Sequence, residues 1–130
     1  MKVVSRIVVL GLVSVLLAGC VVSVGGSRGS SGESDWQQVE RENREAIARL
    51  NKGMYVEEVR SRMGTPDFLE SFSRDGHAYQ VFFYRTHRVK ADGMTTRDET
   101  TPIVFEDGFL VGWGEAAWVD LTGRPLTGRP

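Results

Sequence analysis

Leu50-Asn51-Lys52-Gly53-Met54-Tyr55-Val56-Glu57-Glu58-Val59-Arg60-Ser61-Arg62-Met63-Gly64-Thr65-Pro66-Asp67 decides how this chain folds. Two breaks enclose one short periodic run. Asn51-Lys52-Gly53 is a helix stop, with Gly53 where a left-handed cap is favoured. Between Met54 and Met63, the residues Val56, Val59 and Met63 share one helical face. Gly64 closes that helix and Pro66 forbids its continuation. Glu57 and Glu58 point in different directions. Glu58 stands four residues before Arg62, the spacing of a helical ion pair. Upstream, Trp36, Val39, Asn43, Ala46, Ile47 and Leu50 fall at helical spacing with charges between them. Ser34 or Asp35 can cap that helix, or it can start at Asn43. Two short helices so close in sequence pack side by side and offer one joint apolar face.

Strands follow. Asp67–Ser73 alternates around Phe68 and Phe72, and Arg74-Asp75-Gly76 is a turn. His77–Val89 is a long strand rich in aromatic and β-branched residues. Lys90–Glu99 reads as a loop, Thr101–Glu106 as a third strand, Asp107-Gly108 as a two-residue hairpin turn and Phe109–Trp113 as a fourth strand. Helices first and strands afterwards give an α+β domain: two short N-terminal helices packed on a three- to four-stranded antiparallel meander, in two layers.

The string Gly53-Met54, Val59, Met63-Gly64-Thr65-Pro66-Asp67 followed by a meander resembles the helical hairpin of the SmpA/OmlA (BamE-like) small outer-membrane lipoproteins. With Asn43-Arg44, Phe83-Tyr84-Arg85-Thr86, Asp92-Gly93, Thr101-Pro102 and Leu110-Val111-Gly112-Trp113-Gly114 added, it resembles the bacterial family DUF3192 over roughly residues 43–114. The physical reading of the shared motif is structural. Gly53 and Gly64 turn the backbone, Val59 and Met63 plug the helices onto the sheet, and Pro66 sets the exit into the first strand.

The N-terminus carries an address. Lys2 and Arg6 precede an apolar run from Ile7 to Ala18, and Leu17-Ala18-Gly19-Cys20 ends it. Charge, apolar middle and small residues make a secretory signal over residues 1–19. The ending resembles the lipobox of bacterial lipoproteins, which implies lipid attachment at Cys20. The apolar run is too short for a membrane span, which needs roughly 20 residues. A plain secretory cut would instead leave Cys20 as a free thiol. It is the one Cys in the chain, so it has no internal disulfide partner. Val21-Val22 follow with no Asp at the second position. By resemblance to the enterobacterial sorting rule, that implies the periplasmic face of the outer membrane. Residues 20–35 are a Gly/Ser tether with a reach of roughly 20 Å. Residues 36–121 form the domain. Residues 122–130, with Thr-Gly-Arg-Pro written twice around Leu126, read as a disordered tail.

Loss of Lys2 and Arg6 takes the net charge from −1 to −3. That argues against nucleic acid as a partner. Catalytic chemistry finds little support. Ser-His-Asp catalysis lacks a strand–turn–helix setting. Gly112-Trp113-Gly114 ends a strand instead of opening a helix, so it is no phosphate loop. His77 and His87 would lie about 33 Å apart on an unbroken extended strand and cannot share a metal unless that strand ends early. The expectation is no enzyme, no metal and no cofactor. Two features suggest a binding surface. The long strand is apolar on both faces: Tyr79, Val81 and Phe83 on one, Phe82 and Tyr84 on the other. Helices on one side leave a face that either Glu115–Leu121, with Trp118 and Leu121, or a protein partner or second copy must cover. Arg85, His87, Arg88, Lys90 and Arg97 cluster around one loop. They are either solvated charges guarding a sheet edge or a contact for anionic headgroups or an acidic partner. The candidate partner surface is therefore Phe82, Tyr84, Arg85, His87, Arg88, Trp113 and Trp118.

These readings converge on a membrane-anchored, periplasm-facing lipoprotein that binds protein in envelope assembly or maintenance. The alternative is a ligand-sensing or enzyme-inhibitory module. Replacing Cys20 by Ser should abolish acylation and release the protein from the membrane fraction. Retention of palmitate label by that variant would remove the anchor.

Overall fold

Two Asp-Gly pairs set the sheet. In the computed structural model, which describes residues 35–126, Asp75 and Asp107 both adopt positive φ (54° and 49°), as do the glycines that follow them. Positive φ at both central residues is the type I′ turn, whose twist matches that of antiparallel strands. The first turn joins β1 (Phe68–Arg74) to β2 (His77–Arg85). The second joins β3 (Thr100–Glu106) to β4 (Phe109–Trp113). The four strands form one antiparallel sheet in the order β1-β2-β3-β4. The molecule is α+β, with α1 (Asp35–Ile47), α2 (Val56–Met63) and α3 (Gly114–Thr122) completing it. The Cys20 segment, the signal and nearly all of the expected tether lie outside the described residues.

Helices cover both faces of the sheet, so the two-layer expectation gives way to three layers. On one face Phe82, Tyr84, Ile103, Phe105 and Leu110 pack with Ile47, Leu50, Val56 and Val59, and Met54 and Met63 lie against them. On the other face Val81, Phe83 and Val104 pack with Leu121, flanked by Ala117 and Trp118 of α3. The segment Glu115–Leu121 does cover the second face, as one of the two sequence readings held. It does so as a helix that the sequence reading did not assign. Thr122 belongs to α3, and the chain beyond it is not all free. Leu126 packs on the second core and donates its N–H to Glu115 Oε1 at 2.9 Å. The expected tail is thus corrected for residues 122–126. Residues 127–130 lie outside the described residues.

The first helix is held by polar contacts more than by apolar ones. Its sequence offers few large apolar residues, and one of them, Val39, is 45% exposed, while Glu40 is 6% exposed. The inward stripe runs through Trp36, Glu40, Asn43 and Ile47, so the spacing that placed Val39 inward is off by one residue. Arg85 is the reason. Its Nε donates to Glu40 Oε1 at 2.9 Å, and Nη2 lies 3.7 Å from Glu99 Oε2. Asn43 donates to the Arg85 carbonyl at 2.8 Å, and Arg44 donates to the Thr86 carbonyl. The guanidinium of Arg88 lies 4.3 Å from the Trp36 ring centroid. The helix closes at Ile47, well before Gly53. Gly53 is therefore not its cap. It donates to the Leu110 carbonyl at 2.8 Å. Leu110 N–H and Val56 N–H continue this pairing onto Met54 and Gly108 carbonyls at 2.8 and 2.9 Å. Residues 53–56 thereby protect the outer edge of β4.

β2 ends at Arg85, short of the expected Val89, because its pairing partners end there. Phe68 of β1 pairs with Phe83, and Thr100 of β3 pairs with Arg85. Thr86 and His87 N–H groups turn to the Glu99 carbonyl. The Glu99 carboxylate collects the N–H groups of Val89, Lys90 and Thr96 at 2.8, 3.0 and 3.3 Å. The backbone N–H bonds from Lys90 and Val89, with the Arg85 charge behind them, hold its carboxyl below the usual range. Gly64 ends α2 at φ 76°, ψ −158°, a conformation essentially reserved for glycine. Its carbonyl accepts from Tyr84 Oη at 2.9 Å. Burial pushes that phenol up to about 12. The Glu58–Arg62 pair closes at 2.7 Å on the exposed side of α2.

Replacing Arg85 by Ala strands the buried Glu40 carboxylate, and breaking a buried pair from one side costs about 3–5 kcal/mol. A urea melt of Arg85→Ala should show a loss of that order. Val39→Ala, which touches only the exposed side of the same helix, should stay within about 0.5 kcal/mol of wild type.

Candidate functional site

Phe82 and Tyr84 do not form a partner surface. They are 0% and 1% exposed under α1 and α2, so the structure corrects that expectation. Trp118 is partly buried and packs edge-on against Phe83 with ring centroids 5.5 Å apart. Its Nε1 is buried without a partner. The basic cluster is also divided. Arg85 is buried in its ion pairs. Arg97 bonds the Glu70 carboxylate and lies 4.5 Å from the Phe83 ring centroid. His87, Arg88 and Lys90 remain exposed.

What stays open is a groove of about 370 Å³ between α3 and the β3–β4 side of the sheet. Sequence features account for its room. Gly112 brings no side chain to the sheet surface, and a Cβ there would meet Ala117 Cβ at 3.0 Å. Ala116 and Ala117 give α3 a low wall. Val104, Trp113 and Leu121 supply apolar lining. The register slips between Val104 and Phe105, which pair with Gly112 and Leu110 respectively. Val111 is left over as a bulge, 40% exposed at the groove. Bulges commonly re-aim a side chain beside a functional site.

Charges of both signs line this groove: Lys52 and Arg74, Glu106 and Asp120. Two are already engaged. Arg74 donates to the Leu121 carbonyl and lies 5.6 Å from the Tyr79 ring centroid. Glu106 stands 3.3 Å from His77 Nδ1. Lys52 and Asp120 have no hydrogen-bond or ion-pair partner among the described residues. A free cation and a free anion over an apolar floor suit a ligand segment carrying both charges. They do not assemble a nucleophile, a base and an oxyanion site.

At the hairpin end lies a second cluster that sequence reasoning missed. His77 Nδ1 is 2.6 Å from Asp107 Oδ2 and 3.3 Å from Glu106 Oε1. Asp107 Oδ1 accepts from Ala78 N–H at 2.9 Å, and Asp107 N–H donates to the Ala78 carbonyl at 2.7 Å. The sequence reading weighed His77 only against His87, which lies beyond the far end of β2. The useful signal was the meander itself, which sets the first residue of β2 beside the β3–β4 turn.

The chain belongs to the family described as "Protein of unknown function (DUF3192)", which it matches over residues 18–120. Neither a curated protein nor a solved structure gives a significant match.

The hydrogen bond to Asp107, followed by the Asp107 and Glu106 charges, raises the His77 pKa above 6.5. The same bond, with that from Ala78, lowers Asp107 below 3.8. The His77 contribution to stability is complete below pH 6.5 and fades as pH rises through its folded value. The Asp107 contribution is present above pH 3.8 and fades as pH falls through its own. In buffer containing EDTA, His77→Ala should therefore melt furthest below wild type between pH 3.8 and pH 6.5 and approach it as pH rises through the folded His77 value.

Proposed function

We propose that this chain is a lipid-anchored module of the cell envelope that acts by binding, and that the groove beside α3 receives an extended segment of a protein partner. The groove carries the proposal: apolar lining, a bulge at its mouth, and unpaired Lys52 and Asp120. Exposed apolar surface beside placed polar groups is the usual composition of a binding site. The anchor at Cys20 and the periplasmic face of the outer membrane rest on the Leu17–Cys20 ending and on Val21-Val22. The likeness to SmpA/OmlA (BamE-like) lipoproteins rests on the helix pair and the element order. It points to envelope assembly or maintenance as the setting. A ligand-sensing or enzyme-inhibitory module is the second reading, favoured by the small size of the groove.

A photo-crosslinking residue at Val111, on the groove and exposed, should capture a discrete envelope protein in intact cells. Ala116→Trp should fill the groove and reduce that capture by at least about tenfold, the factor set by about 1.4 kcal/mol. Ala116 is exposed, so the melting temperature should not move. Capture that persists with Ala116→Trp, or no capture at all, would remove the groove as the binding site.

A further inference from the structure

We propose that His77, Glu106 and Asp107 form a binding site for a divalent transition-metal ion such as Zn²⁺. Three donor groups meet here, one imidazole and two carboxylates, with a ligand atom of each lying within 4.8 Å of the others. They come from two places in the chain: the first residue of β2, and the adjacent pair formed by the last residue of β3 and the first of the β3–β4 turn. Tyr79 pairs with Glu106 across the ladder. Asp107 is fastened to Ala78 through both its N–H and Oδ1, which leaves Oδ2 facing the imidazole. Such outer hydrogen bonds orient metal ligands in established sites.

Around His77 the spacing requires little rearrangement. Ligand bonds of roughly 2.0–2.2 Å put tetrahedral donors somewhat more than 3 Å apart. The 3.3 Å between His77 Nδ1 and Glu106 Oε1 already suits that geometry. The 2.6 Å contact with Asp107 opens by less than an ångström as the ion takes the place of the Nδ1 proton, which leaves to solvent. Water completes the shell. Charge also favours a cation. Two carboxylates face a single imidazole, and Asp75 adds a further negative charge nearby. Arg74 is engaged with Asp75 at 3.6 Å and with the Leu121 carbonyl, while the phenol of Tyr79 faces Glu106. The imidazole selects for zinc, copper or nickel over calcium and magnesium, which prefer all-oxygen shells. Glu106 lines the groove as well, so the ion would neutralise one of its acidic groups.

The test is a zinc titration by calorimetry on the full chain in detergent, carrying Cys20→Ser so that no thiol competes. The expected result is one ion per chain, with affinity weakened at least about tenfold by His77→Ala and by Asp107→Asn and unchanged by His87→Ala. Spectra of the Cu²⁺ form should show one imidazole nitrogen that His77→Ala removes. Circular dichroism in EDTA verifies that each variant is folded, as expected for exposed side chains. Absence of zinc uptake, uptake indifferent to His77→Ala, or displacement of zinc by equimolar Ca²⁺ would each overturn the site.

Discussion

Arg85 is a cation withdrawn from water, and the structure is arranged to meet its demands. A guanidinium with no partner in such a place would cost several kcal/mol. Glu40 reaches it from α1 and Glu99 from the turn before β3, and Thr95 accepts from Nη1 at 3.0 Å. Its backbone is engaged as well, with N–H donating to Asp67 Oδ2 at 2.7 Å and the carbonyl accepting from Asn43. One residue at the end of one strand thus fixes the docking of α1, the entry to β1 and the loop between β2 and β3. Two buried carboxylates around one cation would leave excess negative charge. Glu99 resolves this by accepting backbone N–H groups, which stabilise a carboxylate without adding a full charge.

This arrangement explains how a polar helix can cover an apolar sheet. The first helix brings Ile47 to the core but little other apolar area, and its orientation comes from hydrogen bonds of fixed direction. The opposite face is covered by different means. There α3 brings Leu121, Ala117 and Trp118, and close approach over Gly112 replaces polar contacts. With both faces covered, the open surface moves to the margin of α3, where small residues and the Val111 bulge leave a groove. The groove therefore lies at the sheet's margin, since Phe82, Phe83 and Tyr84 of β2 are spent on the interior.

Much of the fold was legible locally. Both Asp-Gly turns, the four strands, the span of α2 up to Gly64 and the Glu58–Arg62 pair follow from periodicity and turn chemistry within a few residues. The errors have one physical origin. Helical spacing placed Val39 inward and gave no reason to bury Glu40, because that reason sits on Arg85, far along the chain. Alternation extended β2 to Val89, because the point where its neighbours stop is not written in its own residues. Gly53 was read as a helix cap on composition, while its N–H belongs to the edge of β4. The candidate partner surface failed at Phe82 and Tyr84 for a related reason: an apolar residue looks the same in sequence whether a partner or a neighbouring helix covers it.

The sequence by itself determined the order of the first two helices and the four strands, the two tight turns and the glycine that ends α2, because each depends on neighbours in the chain. Tertiary structure alone decided that α3 closes the second face, that Arg85 is buried between two carboxylates, that a groove remains beside Gly112, and that His77 meets Glu106 and Asp107. Each of these depends on distances between residues that only strand pairing and helix docking bring together.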